Sequence, residues 1–167
     1  MENPGELIRD PKERGEWAEL CFMAKAAARG LRVSKPYGDT ARYDVGVECE
    51  GRILRVQVKS SMHHRRGIDS YIFQIHTASG RQYDKGTVDF FALYMIPVDT
   101  WYIIPFERIG HQLGVQLTVN SKRPRYGEYR EAWHLLREAT GTRKKCPFTD
   151  AVPPCEGGSS PDTHSDV

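Results

Sequence analysis

Apolar and polar positions alternate with period two across the middle of the chain. Tyr43 to Glu48 alternates, Glu50-Gly51 interrupts, and Ile53 to Ser60 alternates again. Two such runs around a two-residue break predict a β-hairpin. Ahead of it the spacing is helical from Lys12 to Arg29. Trp17, Leu20, Cys21, Ala24 and Ala28 form one stripe, widened by Phe22, Met23, Ala26 and Ala27. Gly30 fits the stop of that helix. Leu31 to Ser34 suits a short strand, and YGDT at 37–40 is turn material.

Beyond the hairpin, Tyr71 to Ile75 predicts a further strand. Val88 to Ile96 is a continuous apolar run, as in a central strand buried on both faces. WYIIP at 101–105 adds another strand, and Phe106 to Ile109 one helical turn. Leu113 to Val119 suits a strand or a loop. Tyr129, Trp133, Leu135 and Leu136 predict a C-terminal helix over Glu128 to Ala139. Helix, then mostly strands, then helix gives an α/β fold with a mixed sheet flanked by helices. Residues 1–11 are expected as a flexible lead, 12–145 as the domain, and 146–167 as a disordered tail rich in Pro, Gly, Ser and Asp.

Composition adds limits. The chain has 167 residues, 39% hydrophobic and 28% charged, which suits one soluble domain. No apolar run approaches the ~20 residues that span a bilayer. The start has no apolar signal region, so a cytoplasmic location and reduced cysteines are the expectation, with no membrane partner. Cys21, Cys49, Cys146 and Cys155 lack paired spacing, which argues against a zinc site. The net charge of +2 says little about partners. Local clusters say more: HHRR at 63–66, SKRPR at 121–125 and RKK at 143–145 suit phosphate contacts if the fold gathers them on one face.

The hairpin pattern carries a register. With Glu50-Gly51 as the turn, Cys49 pairs with Arg52 and paired numbers sum to 101. Asp44 then lies opposite Gln57, on the same face, with Cβ atoms about 4.5–5.5 Å apart. Lys59 shares that face roughly 6.5–7 Å further along. Val45, Val47, Leu54, Val56 and Val58 fall on the opposite, apolar face. A solvated sheet face is one reading of the polar cluster. The other is a divalent-metal phosphodiesterase. There Asp44 binds Mg²⁺, Gln57 offers a neutral amide oxygen, and Lys59 handles the attacking water and the charge on phosphate.

The stretch GEWAEL…ARGLRVSKPYGDTARYDVGVECEGRILRVQVKSS resembles the PD-(D/E)XK nuclease superfamily, which has a helix glutamate, a strand aspartate, then (D/E)-x-K on the next strand. Gly15-x-x-x-Glu19, eleven residues before Gly30, is similar to the first helix of archaeal Holliday junction resolvases of that superfamily. The continuation QYDKGTVDFFALYMIPVDTWYIIP is similar to the bacterial intron-associated homing endonucleases, where Q-x-K replaces (D/E)-x-K. The resemblance covers roughly residues 12–109 and implies a restriction-endonuclease-like fold. It also implies a Mg²⁺-dependent endodeoxyribonuclease, with Mn²⁺ as a substitute, acting on double-stranded DNA. Asp44 and Glu19 would bind metal, Gln57 would be the substituted ligand and Lys59 catalytic. Tyr43 stands where the family has proline. Glu16, one turn before Glu19, is an alternative helix ligand.

Ser61, His63, His64, Arg65, Arg66, Lys122 and Arg123 are candidate DNA contacts. Tyr83 and Asp89 fall where the homing branch has similar residues, though packing and strand capping are equally open to them. A homo-oligomer, dimer or tetramer, follows from the task of cutting two strands. The alternatives are a non-catalytic DNA-binding or assembly module with the same fold, and a Holliday junction resolvase.

Overall fold

The computed structural model of the chain describes residues 3–38, 40–49, 51–62 and 70–138. The predicted hairpin forms in the predicted register. Strand β1 (Arg32–Ser34) leads into β2 (Val45–Cys49), which pairs antiparallel with β3 (Arg52–Ser61). Cys49 lies opposite Arg52 and Val45 opposite Val56. Gly51 has φ of 81° at the turn, a conformation that side chains disfavour.

Strand β4 (Ser70–Gln74) follows and leaves this sheet. Strand β5 (Phe90–Met95) returns to lie parallel beside β3, and β6 (Thr100–Pro105) runs antiparallel to β5. The five-stranded mixed sheet therefore has the order β1-β2-β3-β5-β6. Every residue of β5 is buried, as its unbroken apolar run requires. Residues 113–119 resolve as strand β7 (Gly114–Thr118), which pairs antiparallel with β4 in a second, two-stranded sheet.

Helix α1 (Pro4–Leu7) precedes α2 (Pro11–Ala27), which covers one face of the large sheet. Asp10 caps α2 by accepting from the Lys12 and Glu13 amides. Gly30, φ 75°, closes it: its N–H donates to Ala27 and that of Leu31 to Ala26. The buried line of α2 is Ala18, Phe22 and Ala26, which packs on Val45, Val47, Leu54, Val56 and Val58. The predicted stripe is thus out of phase, since Leu20 is 59% exposed and Ala24 and Ala28 face solvent. Small Ala18 and Ala26 let the helix approach the valines, while Phe22 stacks on Trp133. On the other face, Tyr71, Phe73, Val115 and Leu117 of the small sheet pack on Phe91, Leu93, Met95 and Ile104.

Both ends of the domain depart from expectation. Part of the stretch expected as a flexible lead is docked: Asn3 donates to the Tyr94 hydroxyl and the Ile96 carbonyl, and Gly5 packs against Trp17. The helix predicted over 128–139 is broken among its described residues. Gly127–Tyr129 form one 3-10 turn and α4 (Leu135–Glu138) one further turn, after the single turn of α3 (Phe106–Ile109). Between them Arg130 bridges Tyr102, and Glu131 takes φ of 50°. The Glu131 N–H donates to the Trp101 carbonyl, and its carboxylate accepts from the Trp101 N–H and Trp133 Nε1. The open edge of β6 binds this backbone, and that interrupts the helix. No helix among the described residues is long and apolar enough to cross a membrane. The expected tail, 146–167, lies outside the described residues.

Candidate active site

The site begins with one hydrogen bond beyond the end of β2. Asp44 donates its N–H to the Val56 carbonyl at 3.0 Å, which continues the hairpin pairing and sets Asp44 opposite Gln57. Gln57 Nε2 donates to Asp44 Oδ2, and the Val58 N–H donates to the same oxygen at 2.8 Å. Gln57 is only 8% exposed, so this partner satisfies an amide that would otherwise be costly to bury. Among the described residues both hydrogen bonds of the Asp44 carboxylate fall on Oδ2, which leaves Oδ1 available. Lys59 follows two residues on, partly buried, with Nζ 5.7 Å from the centre of the Tyr83 ring.

Glu19 reaches the same region from α2. Its carboxylate is 18% exposed and accepts a 2.8 Å hydrogen bond from Lys35 Nζ, just after β1. Glu16 is exposed one turn earlier. Glu19, and not Glu16, acts on both Asp44 and Lys59. That favours Glu19 as the helix member of the site.

Burial dominates the electrostatics. It pushes Asp44 up to about 6, and the Glu19 charge pushes the same way. The Val58 N–H, the Lys59 charge and the Gln57 amide offset part of that rise. Lys59 is held below its ordinary value by burial, against the pull of Asp44 and Glu19. Tyr83 is pushed up to about 12 by burial and by Asp44, so its hydroxyl stays protonated. An acid and a lysine, both disfavoured in their charged forms and both lining one cleft, make this cleft the candidate site.

Over these residues lies an open cleft of about 620 Å³, lined also by Arg42, Arg81 and Tyr83. Of this wall the sequence pointed to Tyr83, while the part from Thr77 to Arg81 went unread; a small polar run, TASGRQ, around Gly80 was its signal. Lys35, Arg42 and Arg81 were likewise missed. Asp89 belongs elsewhere: Arg55 binds it through Nε and Nη2, each at 2.9 Å, and through its backbone N–H. Burial raises the Asp89 carboxyl, but these bonds leave it below the ordinary value. Its role is to tie β3 to the start of β5. Ser61 is buried at the end of β3 and lines a second cleft. Lys122 and Arg123 are exposed in the turn after β7 and do not line the cleft over Asp44. His63, His64, Arg65 and Arg66 lie outside the described residues.

The family model for the PD-(D/E)XK endonuclease matches residues 9–136. The chain belongs to the PD-(D/E)XK endonuclease family. It is also similar to the solved structure of a bacterial homing endonuclease, I-Ssp6803I. The TM-score is 0.68 at 31% identity, over 80% of this chain and 96% of that one. No curated protein matches.

PD-(D/E)XK nucleases generally use divalent metals, and the donors here can be tested for fit. Among the described residues no three His, Cys, Asp or Glu side chains converge on one point. The donors on offer are oxygens: Asp44 and Gln57 line the cleft, and Glu19 lies near enough for its charge to act on Asp44. Hard oxygen donors with no thiolate or imidazole suit Mg²⁺ or Mn²⁺. The raised Asp44 carboxyl fits too, because a buried acid lacking enough positive charge is one that a cation would stabilise.

Proposed function

We propose that this PD-(D/E)XK protein is a Mg²⁺-dependent endonuclease that hydrolyses phosphodiester bonds of double-stranded DNA, with Mn²⁺ able to substitute. The observation that carries the reading is the Asp44–Gln57–Lys59 cluster at the base of an open cleft, with burial acting on both Asp44 and Lys59. The likeness to a homing endonuclease supports DNA as the polymer.

Asp44, the Gln57 oxygen and Glu19 would hold the ion. When bound, it would supply a more acidic water and positive charge beside the phosphate. Gln57 uses Nε2 to fix Asp44, so its Oε1 is the atom left for a ligand. Lys59 supplies the chemistry of the chain itself. Burial disfavours its ammonium form, so a larger share of Nζ is neutral and free to accept a proton from the attacking water. Once protonated, Nζ stabilises the charge that develops on the phosphate. Glu19 must exchange Lys35 for the ion, and the 49% exposure of Lys35 makes that pair weak and easily parted.

The test is cleavage of supercoiled plasmid and of a four-way junction with Mg²⁺ and with EDTA. Cleavage with Mg²⁺ alone is expected, lost in Asp44→Ala and reduced at least about 10²-fold in Lys59→Ala. Undiminished cutting by Lys59→Ala sinks the mechanism. DNA binding without cutting under any divalent ion replaces it with a non-catalytic module, and cutting confined to the junction makes the protein a resolvase.

A further inference from the structure

Lys59 is the shared wall of two clefts. On one side is the cleft over Asp44 and Gln57; on the other is a second of about 650 Å³, which Arg14 and His76 line. The two meet at Lys59, Thr77 and Ala78. Each has an arginine in no close ion pair among the described residues, although the charge of Arg14 also acts on Asp10. Arg14, in the first turns of α2, donates to the Ile8 carbonyl at 3.0 Å and forms no close ion pair among the described residues. Arg81 lines the first cleft, which Arg42 also lines while paired with Asp84 at 2.9 Å.

The ridge between the clefts is a closed turn. The Thr77 N–H donates to Arg81 O at 2.8 Å, the Gly80 N–H to Thr77 O at 2.9 Å, and Thr77 Oγ1 bonds both the carbonyl and the amide of Arg81. Gly80 has φ of 77°, which a side chain would strain. The turn exposes Ala78 and Ser79 and so presents little bulk to a passing chain. A mononucleotide would fill one cleft. Two open clefts joined at the reactive lysine, with such an arginine in each, fit a polyanion that continues past the reacting bond in both directions.

We propose that one DNA strand lies across both clefts, with the scissile phosphate at Lys59, Arg14 on the phosphates to one side and Arg81 on those to the other. This rests on Lys59 being the catalytic lysine. The experiment measures binding of the full chain to a labelled random-sequence duplex in Ca²⁺, over a salt series. A phosphate contact contributes about one unit to the slope of log affinity against log salt. Arg14→Gln and Arg81→Gln should each lower the slope by about one and the double variant by about two. Arg14→Lys should retain it, which separates charge from the Ile8 contact. Arg52→Gln is the control, at the hairpin turn seven residues from Lys59 along β3, about 23 Å away, and should leave the slope unchanged. Wild-type slopes for both variants, or a change in one alone, overturn the two-cleft path. If Asp44→Ala abolishes Mg²⁺ cleavage while the slopes stay fixed, the path fails and the nuclease reading stands; cleavage by Asp44→Ala fails that reading itself.

Discussion

Asp44 is a residue the metal-free fold holds at a cost. Burial and Glu19 raise its carboxyl to about 6, so the folded chain binds that proton more tightly than the unfolded chain does. The sign follows. Below the unfolded value near 4 the effect is fully stabilising, and it is lost as pH rises through about 6. In EDTA at pH 8, Asp44→Asn should therefore be more stable than wild type, by about 1–2 kcal/mol after allowance for screening, and inactive. Thermal melts at pH 4 and pH 8 check it; a gain that does not shrink at pH 4 refutes the electrostatic origin. Gln57 is the complementary case. Gln57→Glu adds a negative charge where Asp44 already lacks compensation, so it should lower stability in EDTA and regain it with Mn²⁺. Cleavage should persist with an altered metal preference. Isothermal titration with Mn²⁺ should show tighter binding than wild type; weaker binding would remove Gln57 from the ligand set.

At the scale of elements, Glu131 shows why one prediction failed. Tyr129, Trp133 and Leu136 have helical spacing, and nothing local in the sequence says that the edge of β6 will claim the chain between them. That edge offers the Trp101 amide and carbonyl, and Glu131 answers both. Glu131→Ala should cost about 1–3 kcal/mol, the usual range for buried donors left unpaired, and Glu131→Gln should cost less. Urea denaturation checks the order of the two. The hairpin was legible for the opposite reason. Its register depends on neighbours and a two-residue turn, so Asp44, Gln57 and Lys59 could be placed together from the pattern alone. The α2 stripe was misphased because alanines on several sides of the helix blur its buried line, so that Ala18 is buried where Leu20 was expected to be. Lys35, Arg14 and the Thr77–Arg81 turn were not legible, since only tertiary placement brings them to Glu19 and Lys59.

For the whole molecule, the proposed function raises the question of how one site would cut two strands. A chain carries a single Asp44–Gln57–Lys59 set, and the strands of a duplex run in opposite directions. Two sites related by a twofold axis match that symmetry, which makes a dimer, or a tetramer built from dimers, the economical assembly. The assembly can be tested through its product. Wild-type chains acting as a pair should convert supercoiled plasmid to linear DNA with little nicked circle. Co-expression of wild type with excess Lys59→Ala places most active chains beside an inactive one, and each such pair can cut a single strand. Nicked circle should then become the main product, in proportion to the mixed pairs. A mixture that yields linear DNA in proportion to its wild-type content, with no added nicking, would mean that each chain cuts both strands alone, and the paired-site assembly would be wrong.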